Sequence, residues 1–580
     1  MPIPFGPPDF GPTVTQAKAP PPIGAATVVV TADGTHAVAS DPDRDRIVIA
    51  DLASKTVKAI ALAQDDEPGR LVEDAAKRVH VVLHRSGMVA TVDVASGAVV
   101  ERRAVCPDPQ GIAVDGERLL VTCASGEIDA LPVAGGAATS FARLDPDLRD
   151  IVVTPDALLV SRLRSAELIR VAKSDGSVLS RIVPPARASF KSSPRESFVA
   201  WRLAKTPAGV LMAHQTAQLD EVDVKAPNGY AGHDCDGVVS TTVTGVATNG
   251  DELSVVLQAN LLRAVLPVDI AFSPDGRSFA VVAAGNGHTP SAPQVLLAAT
   301  DGAEAPPEEI DAGFPGPPCI PGDGVANPPG QVVAVTYTPD ATRLVAFSRE
   351  PAAFHVRSVA APPRASWTTI AAGGASREDT GHAIFHSDSG GGIACVSCHP
   401  GGADDGRVWR FTTGARRTQT LQGTLAGTEP YHWNGDVPKI EDFATEVFVR
   451  RMAGQPLAAD QVDALRAWLT RIPAPPRHRP RDVEAAARGQ ALFEDPGIGC
   501  SDCHAGPKLT NSDTVDVGTG GSFQVPSLLG LGVRAPYLHD GRAKTLLDRF
   551  GASGGGDMHG NTSGLSAQQI ADLIAWLETL

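Results

Sequence analysis

No run of eighteen apolar residues occurs anywhere in this 580-residue chain, so nothing in it reads as a transmembrane helix, which needs about twenty. The opening stretch, MPIPFGPPDFGPTVTQAKAPPPIG, has no basic region leading into an apolar core. No secretory leader is therefore visible, and the expectation is that one is missing through processing or a misplaced start. A Walker loop, a dinucleotide fingerprint and a hydrolase triad are also lacking. The basic pairs Arg416-Arg417 and Arg450-Arg451 are isolated, and the net charge is −16. That balance disfavours nucleic acid and anionic membrane surfaces while tolerating a basic protein partner. Methionine is scarce, at five residues.

Against these absences stand two C-x-x-C-H pentapeptides, Cys395-Val-Ser-Cys398-His399 and Cys500-Ser-Asp-Cys503-His504, set 105 residues apart. Two thiols at this spacing add to the vinyl groups of a haem, and the adjacent imidazole reaches the iron from one side. A zinc knuckle or a dithiol is the bland reading of one C-x-x-C; two copies sharing the trailing histidine favour two covalently attached c-type haems. Cys395, Cys398, Cys500 and Cys503 are then the attachment residues, and His399 and His504 the iron ligands. The other cysteines, Cys106, Cys123, Cys235 and Cys319, form an even remainder compatible with disulfides Cys106–Cys123 and Cys235–Cys319, with four free thiols as the alternative. Haem attachment and disulfides alike point to a periplasmic or extracellular protein.

The length implies three or four domains at about 150 residues each. Residues 1–24 are Pro-rich and aperiodic, and read as a disordered or loosely draped tail. From 25 to 370 short β-type runs alternate with turns, and the signature Thr/Ser-x-Asp recurs at Thr31, Thr154, Ser273 and Thr338. A second series, RIVIADLASKTV and MVATVDVASGAV, places Asp51 and Asp93 42 residues apart, with Asp175 continuing it. A repeat of about 40 residues carrying four strands fits a propeller blade. Division of the region gives about seven blades, with extra length near 213–245 and 301–330. At the level of repeats this region resembles YVTN/WD40-like propellers, which implies a scaffold or docking surface. The extra loops either contact the haem region or are surface excursions.

Beyond 370 the pattern turns helical, in two halves, 371–475 and 488–580, joined by a Pro/Arg linker over 476–487. The halves align with each other: Gly381 and Phe385 match Gly489 and Phe493, Pro430-Tyr431 matches Pro536-Tyr537, and LAADQVDALRAWL matches LSAQQIADLIAWL, with Trp468 opposite Trp576. Apolar residues at helical spacing mark the last pair as amphipathic helices. A leading helix, a haem-attachment loop and a closing aromatic helix resemble class I cytochrome c domains. The tandem, with its APYLHDG segment, resembles the bacterial dihaem cytochrome c peroxidase/MauG family. The expected fold is thus an all-β propeller followed by two all-α class I cytochrome c-like domains.

Met452 and Met558 lie 53 and 54 residues after their respective histidines, and matched spacing nominates them as sixth ligands. His559, His432 and His539 are the rivals, and core packing is the ordinary role of methionine. The family resemblance implies a peroxidatic haem at His399 and an electron-receiving haem at His504, passing electrons to reduce hydrogen peroxide or oxidise a substrate. The sequence departs from that family in having no histidine between His399 and His432. Glu429, Glu441 and Gln422 are acid–base candidates; Trp409 and Trp433 are candidates for the space between haems; the arginine pairs are solvated or bind haem propionates. The partner is a small electron-donor protein or other redox partner. The alternative function is a non-catalytic electron relay whose propeller is a docking module.

Overall fold

The computed structural model describes residues 6–24, 26–186, 194–231, 237–250, 252–261, 264–300 and 323–580. From Val28 to Ala371 the chain forms seven four-stranded antiparallel sheets, each with its strands in sequence order. The first strand of each sheet packs on the first strand of the next, and Val28–Val30 meets Val332–Tyr337 to close the ring. This is a seven-bladed β-propeller. Its first blade is complete in residues 28–61, so packing, rather than a strand borrowed from the other end of the chain, closes the circle.

Inner strands such as Arg78–Leu83 are buried along nearly their whole length, whereas outermost strands such as Val178–Ile182 are largely exposed. Neighbouring blades sandwich the inner strands, which is why these read as near-continuous apolar runs. The recurrent turns share one device: a hydroxyl donates to the carboxylate two residues on, from Thr31 to Asp33 (2.8 Å), Thr154 to Asp156 (3.0 Å), Ser273 to Asp275 (2.6 Å) and Thr338 to Asp340 (2.6 Å). Cys106 and Cys123 are joined in a disulfide with Cα atoms 6.1 Å apart. Cys235 and Cys319 lie outside the described residues.

The proline-rich N-terminus differs from the loose tail expected. Over residues 14–23 it is strapped to the helical region: the Val14 amide donates to Thr380 Oγ1, Trp468 Nε1 and His382 Nε2 donate to the Pro20 and Pro21 carbonyls, and the Ile23 amide donates to His386 Nε2. Prolines carry acceptors without N–H donors, so the partners had to come from side chains far away in sequence.

Four longer helices build the C-terminal region: α1 (Thr380–His386), α2 (Ala459–Leu469), α3 (Val483–Phe493) and α4 (Ala567–Leu577). Asp379, Asp482 and Ser566 cap α1, α3 and α4 by accepting from backbone amides. Because Asp482 starts α3, helix occupies the second half of the 476–487 span read as linker. The preceding stretch is pinned: Arg85 donates to the Ala474 carbonyl and the His478 amide to that of Thr579. Two small hairpins, Val408–Phe411 with Gly414–Arg417 and Thr514–Asp516 with Ser522–Gln524, depart from an all-α pattern. Among the described residues no helix is long and apolar enough to cross a membrane.

Candidate haem-binding sites

Each C-x-x-C-H segment winds into one tight turn; Cys500, Cys503 and His504 share one cavity wall, as do Cys398 and His399, whereas Cys395 is not on that wall. The His399 amide donates to the Cys395 carbonyl at 3.0 Å, and the His504 amide to that of Cys500 at 3.0 Å. The supports are duplicated as well. A Cβ on Gly381 would collide with the Ala464 carbonyl of α2, and one on Gly489 with the Asp572 carbonyl of α4. Only glycine lets these helix pairs approach so closely. Phe385 then meets Trp468 at 4.8 Å between ring centroids, and Phe493 meets Trp576 at 4.3 Å. The Tyr431 and Tyr537 hydroxyls each lie against a carbonyl six residues back, at Leu425 and Leu531 (3.1 and 3.2 Å), with Tyr431 sharing its one hydrogen between Leu425 and Glu429 (2.8 Å).

Two cavities result. The first, of about 340 Å³, is lined by Cys398, His399, Trp409, Phe411, Leu421, Phe443 and Val447 among others. The second, of about 310 Å³, is lined by Cys500, Cys503, His504, Phe493, Leu528, Leu546 and Leu573 among others. Predominantly apolar walls with thiol and imidazole on one side fit a porphyrin. His399 Nδ1 lies 3.2 Å from the Ala403 carbonyl and His504 Nδ1 lies 3.1 Å from that of Leu509. A carbonyl can only accept, so Nδ1 carries the proton and each Nε2 keeps its lone pair for a metal. Burial pushes His504 down to about 4 and lowers His399 too, keeping both imidazoles neutral. Burial also lifts the Cys395 thiol to about 12 and raises the Cys398 thiol well above its ordinary value.

The second cavity holds another imidazole. His559 lies on its wall with its ring centroid 6.4 Å from that of His504 and the ring planes 36° apart. Its Nδ1 faces the Gly554 carbonyl at 3.2 Å, leaving Nε2 free by the same argument. Burial, assisted by Arg549, pushes His559 down to about 3. Met558 also touches this wall but is 63% exposed.

At the first cavity, Met452 sits in the apolar core, 2% exposed, with its carbonyl accepting from Ser389 Oγ at 2.6 Å, and is not among the wall residues. His432 is on that wall, with Nδ1 3.3 Å from Asp436 and its ring against Phe443. His539 belongs to the second wall, stacked on Phe523 at 3.7 Å. The acid–base candidates face elsewhere: Glu429 accepts from the Tyr431 phenol, Glu441 pairs with Arg466, and Gln422 donates to the Gly401 carbonyl.

Trp433 lines both cavities and donates its indole N–H to the Arg417 carbonyl at 2.7 Å; Trp409 lines only the first. Arg417 and Arg534 also border both, and they converge on Asp404, which Arg164 of the propeller reaches too (2.8, 3.6 and 3.3 Å). Burial alone would raise Asp404, but Arg417, Arg164 and Arg534 outweigh it and hold the carboxyl at about 2. The propeller touches the first motif directly: Gln215 donates to the Ser397 carbonyl at 3.1 Å. Sequence reading did not single out Arg164, Arg534 or Gln215, and no local pattern marks them.

A cytochrome c family profile matches residues 486–580. Hydrazine synthase subunit gamma of Kuenenia stuttgartiensis is 32% identical over 146 residues, covering 17% of this chain and 41% of that protein, so the chain spans well under two thirds of the relative. Among solved structures, Kuenenia stuttgartiensis hydrazine synthase aligns with 61% of this chain and 99% of its own at 17% identity and a TM-score of 0.45. A streptogramin B lyase aligns with 57% of this chain and 92% of its own at 11% identity and a TM-score of 0.39. The chain therefore joins a seven-bladed β-propeller to a C-terminal cytochrome c domain, whose C-x-x-C-H motif is of the kind that holds a covalent c-type haem.

Proposed function

We propose that the chain is a dihaem c-type oxidoreductase, similar to dihaem peroxidases, with a second cytochrome c-like unit between residues 371 and 475. The observation that carries this reading is the asymmetry of two cavities built on duplicated supports. His504 and His559, which share one cavity, would both hold the second iron, a ligand set suited to passing electrons. His399 would hold the first iron, and Met452, turned into the core and absent from the cavity wall, would leave room there for a substrate. This replaces the expectation of paired methionine ligands with His559 at the second site and no thioether at the first.

A c-type haem supplies one-electron chemistry at its iron. The chain supplies the rest. His432, with Nδ1 toward Asp436, keeps Nε2 available to take a proton from a substrate such as hydrogen peroxide and return it. Trp433, on both walls, fills the space between the sites and provides an aromatic route. Arg417 and Arg534 offer charge to haem propionates from the same shared wall. Hydrazine, named in the relative's activity, is a second compound to assay. The Cys106–Cys123 disulfide supports a periplasmic or extracellular setting.

Matured protein tests this by electron paramagnetic resonance and resonance Raman spectroscopy. The expected result is one low-spin bis-imidazole haem and one high-spin haem, with peroxide consumption that falls about 10²- to 10⁴-fold in His432→Ala. The second reading, a non-catalytic relay, rests on His432 itself serving as a ligand. Two low-spin haems in every redox state without turnover would establish the relay and exclude the peroxidase.

A further inference from the structure

The fifth blade has the longest strands of the propeller, and the connection after Gly209–Gln218 runs out of the ring to the first haem cavity. There it is stitched down by backbone bonds. The Val222 amide donates to the Arg410 carbonyl at 2.7 Å, the Asn228 amide to that of Arg450 at 2.6 Å, and the Tyr230 amide to that of Arg451 at 2.8 Å. Arg450 returns a bond to the Val224 carbonyl at 2.9 Å. This two-sided anchoring fixes Tyr230, and its ring stacks on Phe411 at 6.1 Å between centroids. Tyr230 and Arg451 both line the first cavity.

The donor count at this pair is informative. Arg451 Nη1 lies 3.2 Å from the Tyr230 hydroxyl. A guanidinium can only donate, so the phenol oxygen accepts and the phenol hydrogen is left over. Arg451 Nε is buried and has no partner among the described residues. Desolvation, the dominant influence, raises the Tyr230 pKa above its ordinary value, so the phenol stays a neutral donor. Asp436 shares the wall, bonded to His432 at 3.3 Å and within electrostatic reach of Arg451, but among the described residues no hydrogen bond joins it to Tyr230 or Arg451. Arg416, Arg417 and Arg534 add positive charge around the same cavity. Two unspent donors beside a cation in an apolar pocket call for an acceptor that bears negative charge.

We propose that Tyr230 and Arg451 form an oxyanion-binding pair of the first haem cavity, so that the propeller contributes directly to ligand recognition there. The inference deepens the dihaem reading and rests on it for the identity of the cavity. The ligand is a carboxylate or a small inorganic oxyanion; its source is either the propionate of the haem or a free anion.

The matured full-length protein, with Tyr230→Phe, Arg451→Gln and Arg451→Lys, decides this through calorimetric titration with sodium nitrate and sodium acetate and through the first-haem midpoint potential. A free-anion site gives measurable binding in the parent, weakened about tenfold or more in Arg451→Gln, less in Tyr230→Phe, and partly restored in Arg451→Lys. A propionate site gives no anion binding in the parent but a lower potential in Arg451→Gln, because losing a nearby positive charge favours the oxidised haem, with Arg451→Lys close to the parent. Anion binding that survives unchanged in Tyr230→Phe and Arg451→Gln overturns the proposal, as does an absence of both anion binding and a potential shift. Haem content by pyridine haemochromogen is measured alongside. One haem per chain would sink the dihaem reading, and the calorimetric result would still judge the pair.

Discussion

Asp404 is the joint at which the propeller, the first haem segment and the second haem segment meet, and Asp404→Asn tests that joint. The carboxylate is fully buried and reaches Arg417 at 2.8 Å, Arg164 at 3.3 Å and Arg534 at 3.6 Å. Held at about 2 in the folded chain, against about 3.9 for an unfolded aspartate, it contributes roughly 2.5 kcal/mol at neutral pH. Loss of one partner from a buried ionic cluster costs about 3–5 kcal/mol on general grounds, because the arginines are left uncompensated. The two routes agree on about 3 kcal/mol. The sign follows from the depressed value. The contribution is complete above about pH 4 and disappears as pH falls through about 2. Urea unfolding of parent and variant, followed by circular dichroism from pH 7 downward, should show a gap that narrows between about pH 4 and pH 2. Equal stabilities at pH 7, or a gap that persists undiminished below pH 2, would refute the assignment of Asp404 as an ionised hub.

Three further outcomes are expected. His559→Ala should convert the second haem from low to high spin in its absorption and resonance Raman spectra, whereas Met558→Ala should leave both spectra unchanged. Gly489→Ala forces a methyl group against the Asp572 carbonyl and should destabilise the C-terminal domain by about 1–3 kcal/mol in thermal unfolding. Cys106→Ser opens a loop closed over a sequence separation of 17 and should cost about 3 kcal/mol in the propeller, measurable as a lower denaturant midpoint.

The attachment motifs were legible because their chemistry is local: thiols and imidazole within five residues carry the geometry with them. The propeller was legible because a blade repeats the same turn, and Thr31, Thr154, Ser273 and Thr338 place the same hydroxyl on the same carboxylate each time. The glycine–aromatic supports at Gly381, Phe385, Gly489 and Phe493 could also be read, since two helices of fixed period cross at fixed points. Methionine spacing was a poorer guide. Met452 and Met558 keep equal distance from their histidines, yet one lies in the core and the other is largely exposed, because matched position in a repeat does not fix the direction in which a side chain points.

Residues alone disclosed the β repeat that folds into seven blades, the C-terminal cytochrome c domain and the two C-x-x-C-H motifs, since each depends on neighbours close in sequence or on regular periods. Tertiary structure alone brought Arg164 to Asp404, Tyr230 to Arg451, His559 to His504 and the proline-rich strap to α1 and α2. Those partners lie between 55 and more than 440 residues apart. The burial and donor–acceptor matching that select them arise only once the whole chain has closed around its cavities.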